Sequence, residues 1–279
     1  MTFLSELIAG GIAGAAGIIF TQPIDTIRIR LQNGGQYAET SQAAKVPLGI
    51  WTCTTSTLRG EGVRGFFKGV ASPTLTVGAM NAVLFLSYET TCKWMRSRHG
   101  AEELSLKEIF AAGVAAGVGS AFITGPTELV KCIAQLDVKS KGHVVEELRI
   151  IKRMVREHGV LGKHGPTRGL LMTMVRDAPS FGLYFVIYED ICRRMGKSDA
   201  VSLFAGGCAG AAAWASIYPI DVIKTLWQTA EPGRYRSLLD CVRSNIRAQG
   251  LPLLFRGFGA TMLKAWPQNA VIFYTYEFL

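Results

Sequence analysis

Apolar and small residues run through this chain in long blocks, and its polar residues fall between the blocks rather than alternating with them. Stretches 70–88, 109–127 and 200–220 are free of charge for 19, 19 and 21 residues, about the length a helix needs to cross a bilayer. Stretch 7–24 is also free of charge, and it passes through Pro23 into an amphipathic continuation. Between the apolar blocks lie polar amphipathic pieces such as "LRIIKRMVREHG" (148–159), which read as short surface helices. The repeating order is long helix, loop, short surface helix, long helix. Three such units make six long helices, so the expected fold is an all-α membrane protein. A soluble helical repeat would need a polar face on these runs, and they have none.

The unit recurs in detail. "PIDTIRIRLQ" starts at Pro23, "PTELVKCIAQ" at Pro126 and "PIDVIKTLWQ" at Pro219. Each carries an acid two residues after the proline, a base five after and a glutamine nine after: Asp25, Arg28, Gln32; Glu128, Lys131, Gln135; Asp221, Lys224, Gln228. Glycines sit nine and thirteen residues before each proline (Gly14 and Gly10, Gly117 and Gly113, Gly210 and Gly206), a small-xxx-small pattern that permits close helix approach. "SYE", "IYE" and "TYE", ending at Glu89, Glu189 and Glu277, close the three units. A base and a glycine, ending at Gly69, Gly169 and Gly257, open the helix before each. The boundaries fall at 1–102, 103–197 and 198–279, three units of one structural domain.

The offsets of three and four place acid, base and amide on one helical face. Charges inside a membrane face a bundle interior or water. Around a pseudo-threefold axis each acid can meet the base of the next repeat: Asp25 with Lys131, Glu128 with Lys224, Asp221 with Arg28. A proline kink above them would bring the lower half-helices inward, and the glutamines one turn on are placed to bond across the pairs. Such a ring, able to open and re-form, is a gate.

Composition agrees with a membrane setting: 49% hydrophobic, 18% charged, and a formal net charge of +9 that suits loops on anionic lipid. Six scattered cysteines with no CxxC pair indicate neither a disulfide framework nor a zinc site. The four histidines form no HExxH pattern, and no GxSxG or P-loop spacing occurs, so an enzyme is not expected. Neither an Arg-rich presequence nor a signal cleavage pattern is evident at the N-terminus, so targeting information is expected to be internal.

The triple Px[DE]xx[KR] pattern resembles that of the mitochondrial carrier family, and the likeness covers residues 5–279. It implies a multi-pass inner-membrane transporter, with six transmembrane helices, three matrix-side surface helices, one central site and alternating access. Both termini would face the intermembrane space. The acids and bases of the three motifs would form the matrix gate. Tyr88 with Glu89, Tyr188 with Glu189 and Tyr276 with Glu277 would form the cytosolic one. No cofactor is implied; cardiolipin at the matrix helices and a monomeric state are.

Three further charges lie inside the spans. Counting thirteen residues back from the closing glutamates reaches Thr76, Arg176 and Lys264, with Asp177 beside Arg176. Charges at matched depth in a cavity are a substrate site by default. A carboxylate/ammonium solute would place its acid on Arg176 and Lys264 and its amine on Asp177. A private Arg176–Asp177 pair is disfavoured here, since adjacent helical residues point about 100° apart. "MVRDAPSFGLYFVIYE" and "MLKAWPQNAVIFYTYE" resemble the branch that handles carnitine, acylcarnitines and basic amino acids, and Trp214 resembles an aromatic of that branch that could pack on an ammonium. The lack of an "RRRMMM" run speaks against an ADP/ATP exchanger. Other solutes, nucleotide-like or S-adenosylmethionine-like, and a non-transporting scaffold on the same frame are the alternatives. The cytosolic pattern departs from the family's: Cys92 and Cys192 stand where a base belongs, and Lys93 and Arg193 come one place late.

Overall fold

The structure is a computed structural model describing residues 3–34, 49–100, 103–137, 144–160, 162, 165–196, 198–231 and 233–277. Side chains are described from residue 10 onward, and only in part along the last helix. Among these residues the regular structure is helical: α1 (Phe3–Gln32), α2 (Ile50–Glu61), α3 (Ala71–His99), α4 (Leu106–Leu136), α5 (Val144–His158), α6 (Leu170–Met195), α7 (Asp199–Thr229), α8 (Leu238–Gln249) and α9 (Phe258–Glu277). Short 3-10 segments at Val63–Phe67 and Leu251–Phe255 follow α2 and α8. The order long, short, long therefore occurs three times.

Local chemistry sets the ends. Ser105 and Glu108 form a reciprocal capping box at the start of α4, while Ser198 and Ser237 accept from the backbone three residues on at α7 and α8. The first long helix of each unit (α1, α4 and α7) runs unbroken through Pro23, Pro126 and Pro219, each proline removing one backbone donor.

The bundle is polar inside and apolar outside. Asp25, Arg28, Arg176, Asp177, Asp221 and Lys224 are all buried, whereas Leu75 and Leu171 are 77% and 73% exposed. In water that arrangement would forgo most of the hydrophobic gain; facing lipid tails it costs nothing. Among the described residues Val63–His99, Leu106–Leu136, Leu170–Met195 and Asp199–Thr229 are long and apolar enough to cross a membrane.

The three units are joined in a circle at one end. Gly69, Gly169 and Gly257 open the second long helix of each unit with φ of +72°, +79° and +82°, which only glycine adopts freely. A Cβ on Gly69 would meet the Lys131 carbonyl at 2.6 Å, and one on Gly169 the Gln228 side chain at 2.5 Å. One on Gly257 would lie 3.0 Å from the Tyr218 hydroxyl and 3.4 Å from the Arg28 carbonyl. The turn of each unit thus rests against the proline helix of the next. The base before the glycine adds to this. Lys68 donates to the Asp137 carbonyl (2.7 Å), and Arg168 to those of Trp227 (2.8 Å) and Ala230 (2.6 Å), filling acceptors that a helix C-terminus leaves open. The first unit has an extra tie: buried Arg30 binds Thr57 at 2.7 Å and Glu61 at 2.9 Å on α2, and the Gln135 carbonyl at 3.1 Å on α4. Ile133 and Leu226 occupy the matching positions in the other units.

The small-xxx-small glycines do not all do the same job. On α4 they let α6 close in: a Cβ on Gly117 would meet the Asp177 carbonyl oxygen at 2.5 Å, and one on Gly113 the Gly182 Cα at 2.7 Å. On α7, a Cβ on Gly206 would meet only the Tyr184 hydroxyl, at 3.7 Å. Gly117→Ala should therefore force α4 and α6 apart at a cost of about 1–3 kcal/mol, while Gly206→Ala should be neutral. Thermal unfolding of the two purified variants checks this; equal midpoints would contradict the packing assignment.

Candidate functional site

The three proline helices converge where the turns clamp them, and the acid of each meets the base of the next. Lys131 Nζ lies 2.6 Å from Asp25 Oδ2. Lys224 is bonded to Glu128, and Arg28 to Asp221. The three pairings expected from cyclic order are all present. Every member except Glu128 and Lys131 is almost fully shielded from solvent.

The bases expected in the substrate tier reach this ring as well. Lys264 Nζ binds both oxygens of Asp25, at 2.7 and 2.9 Å. Arg176 Nη1 lies 3.0 Å from Glu128 Oε1 and 3.1 Å from Asp221 Oδ1. Its Nε and Nη2 are both 2.6 Å from Asp177 Oδ1. The private pair disfavoured on the 100° rule therefore exists, because that angle describes Cα–Cβ vectors. A guanidinium at the end of a long stem folds back to its neighbour. Within the cluster, four carboxylates (Asp25, Glu128, Asp177, Asp221) face five cationic groups (Arg28, Lys131, Arg176, Lys224, Lys264), leaving one positive charge over.

A cavity of about 280 Å³ lies beside the cluster, lined by Glu128, Arg176 and Asp177 together with Phe181, Tyr184 and Trp214. A smaller void of about 100 Å³ sits within the ring, between Asp25, Arg28, Lys131, Cys132 and Lys264. Lys264 lines the small void and not the larger cavity, so it is not placed beside Arg176 as a second carboxylate receptor. Asp177 Oδ2 is buried and has no hydrogen-bond partner among the described residues. An unpartnered buried carboxylate oxygen is costly, and Asp177 keeps its other oxygen on Arg176.

Other expected site residues fall differently. Thr76 donates to the Ser72 carbonyl (2.8 Å) and accepts from Thr127 (3.2 Å), a link between α3 and α4 outside the cavity lining. The Trp214 indole lies under the Arg28 guanidinium, 4.7 Å to the ring centre, and 5.9 Å from that of Arg176. It packs on the protein's own cations. Of the glutamines, Gln32 bonds across a pair, reaching Asp221 Oδ2 at 3.1 Å and the Tyr218 hydroxyl at 3.2 Å. Gln135 donates to Thr26 (3.1 Å) and Gln228 to the Arg168 carbonyl (3.0 Å) instead. Sequence reasoning missed Ser180 and Tyr184, which line the cavity. They stand four and eight residues after Arg176 on the same face, so counting onward from it would have found them.

The opposite end carries no matching ionic ring among the described residues. Glu89 pairs with Lys93 at 3.4 Å, and Glu189 with Arg193 at 3.0 Å, each within its own helix. A base four residues after the acid, rather than three, suits such a pair. Tyr88 stacks on Phe185 with centroids 3.9 Å apart, and Tyr184 faces Tyr188 at 6.3 Å. The side chains of Tyr276 and Glu277 lie outside the described residues.

Long apolar helices in three like units, with a charged centre and a cavity at its edge, define a membrane solute carrier. The family described as "Mitochondrial carrier protein" matches residues 1–99, 102–199 and 196–279, and the chain belongs to that family. It is 35% identical to the human mitochondrial carnitine/acylcarnitine carrier protein over 286 residues, covering 98% of this chain and 92% of the relative. It is 33% identical to mouse solute carrier family 25 member 45, covering 99% and 98%. It is 34% identical to the mitochondrial arginine transporter BAC2 of Arabidopsis thaliana, covering 98% and 89%. The chain is thus a carrier-family transporter and not an enzyme.

Because Asp25 serves two bases, a simple charge swap should only half repair the ring. Asp25→Lys or Lys131→Asp alone should lower the unfolding midpoint by roughly 5–10 °C. Combining them should recover part of that loss, and adding Lys264→Gln should recover more by removing the cation left facing a lysine. A double variant no better than the worse single one would contradict the pairing.

Proposed function

We propose that this protein moves a small solute bearing both a carboxylate and an ammonium or guanidinium across the mitochondrial inner membrane, by alternating access through the cavity beside Arg176 and Asp177. The observation that carries this is the adjacent acid and base, Asp177 and Arg176, that line the cavity side by side, Arg176 with a planar fork suited to a carboxylate. The cluster's single surplus positive charge also favours a ligand with an acidic group. Relatives named for carnitine/acylcarnitine and arginine fit the same charge pattern.

In this reading the six long helices span the membrane as three pseudo-threefold repeats, 1–102, 103–197 and 198–279. The inter-repeat ring is the gate on the matrix side, where α2, α5 and α8 lie along the surface against lipid such as cardiolipin. The structure's formed ring and its locally paired Glu89 and Glu189 then correspond to a carrier closed toward the matrix and open toward the cytosolic side. The carrier acts as a monomer, and its central site serves both faces in turn.

Uptake into proteoliposomes, with and without solute inside, tests the function. Carnitine, lysine, arginine, ornithine, glycine and glutamate form the first panel, with S-adenosylmethionine and a nucleotide beside them. At least one amine-bearing acid should be carried. Asp177→Asn should slow that solute at least tenfold more than an amine-free analogue, in line with the few kcal/mol expected for an unpaired buried charge contact. Equal loss for both, in a folded protein, would make Asp177 structural. Uptake of the nucleotide alone, or of nothing, would replace the reading with the other solute class or a scaffold.

A further inference from the structure

The first two units differ on the inner side of their surface helices, where the first is filled and the second is hollow. In the first, Arg30 of α1 is buried against Thr57 and Glu61 of α2 and the Gln135 carbonyl of α4. Positions in the second unit follow by counting from its proline and from the glycine that ends its surface helix. Ile133, Met154 and His158 stand there at the places of Arg30, Thr57 and Glu61. All three line one cavity of about 410 Å³, bounded on the α7 side by Gln228 and Thr229. Gln228 is in turn the counterpart of Gln135. The cavity is therefore the space that the first unit fills with a guanidinium and a carboxylate. It shares no lining residue with the cavity beside Arg176.

The base before each turn glycine shows what the space lacks. Lys68 bonds to Glu61 in the first unit, and Arg256 to Gln249 in the third. Arg168, their counterpart, lines the cavity, yet among the described residues its guanidinium donates only to the Trp227 and Ala230 carbonyls. Ten residues separate His158 from Arg168, against seven from Glu61 to Lys68 and from Gln249 to Arg256. The second unit has thus lost the acceptor and lengthened the connection. Half-buried and without a carboxylate, Arg168 is held below the ordinary guanidinium pKa by burial, and a cation so placed gains from an acid brought to it. Arg153 lines the same cavity and also has no ion pair among the described residues. We infer that this cavity is a second ligand site, and that it holds one carboxylate of a small organic acid between Arg168 and Arg153, as Glu61 lies between Lys68 and Arg30. Ile133, Leu136 and Met154 give a short alkyl chain an apolar wall. Asp137, Glu157 and Glu231 line the cavity but are exposed, which puts them at its mouth. They repel a second negative charge and accept an amine at the far end of the chain. The ligand is a monocarboxylate, held more tightly when its chain ends in an amine.

Pentanoate, 5-aminopentanoate, cadaverine and citrate probe the site by charge at similar size. With the purified protein in detergent, saturating pentanoate or 5-aminopentanoate should raise the unfolding midpoint by about 2–5 °C. The amino acid should act at the lower concentration, and cadaverine and citrate should leave the midpoint unchanged. The shift should persist in Arg176→Gln/Asp177→Asn, which disables the central cavity. It should vanish in His158→Glu, which supplies the first unit's carboxylate while leaving Arg168 to cap α7. Labelling of the Met154→Cys variant, its native cysteines replaced by serine, locates the ligand with both cavities intact. Either acid should slow its reaction with a polar maleimide about fivefold or more, as occupancy at several times Kd requires. No midpoint rise with either acid, or a rise without slower labelling, would overturn the inference. So would a full response in folded His158→Glu, or a response lost in folded Arg176→Gln/Asp177→Asn. Cadaverine or citrate acting as strongly as the acids would overturn the ligand class. None of these readings uses transport, so the function proposed above stands or falls separately.

Discussion

Charge inside an apolar bundle must be paired, and most of this structure follows from that requirement. Lipid-facing leucines and phenylalanines leave the bundle no external partner for Asp25, Glu128 or Asp221, so each finds its base on the neighbouring repeat. An interior pair of this kind gains little net free energy over apolar packing, yet breaking it is expensive because it strands a charge. That asymmetry suits a gate better than a brace. In the proposed gate, pairs that exchange partners as a set avoid the penalty of a single unpaired charge.

The ring forms only because the backbone brings three helices to one place. Glycine at 69, 169 and 257 allows each turn to lie directly against the next proline helix, and Lys68 and Arg168 cap the far ends of α4 and α7. These contacts run around the circle in the same sense as the ion pairs, so packing and electrostatics select the same register. The symmetry is incomplete in a consequential way. Arg30 ties the first repeat's surface helix to α1 and α4 through buried bonds, and the apolar Ile133 and Leu226 cannot do the same for the second and third. The first repeat thus carries a buried polar tie that the other two lack at this position.

Architecture and ring pairing were legible in the sequence because both depend on offsets that a helix preserves: three and four residues for a face, a fixed count from proline for depth. What sequence counting misplaced depends on side-chain length. Arg176 and Lys264 share a Cα depth with Thr76, yet their head groups reach the ring acids, which fuses two expected layers into one cluster. The three glutamines occupy equivalent positions, but only Gln32 finds a ring acid. Gln135 donates to Thr26 instead, and Gln228 to the Arg168 carbonyl. Trp214 was recognisable as an aromatic of the site, but nothing in its spacing shows that two arginines of the chain itself would cover its face. Family membership and a transporter's role came from the repeats; the identity of the solute depends on distances that no repeat encodes.

The central claim is that the inter-repeat pairs are a working gate and not a fixed brace. The most direct measurement is the distance between spin labels at Leu136, at the end of α4, and Glu231, just beyond α7, in the reconstituted protein. With no solute the account predicts one narrow distribution, matching the closed ring. With a transported solute on both sides it predicts a second population, longer by several ångströms and lost again when Lys131 and Asp25 are replaced by a cross-linked cysteine pair. A single unshifted distribution during active exchange would contradict it.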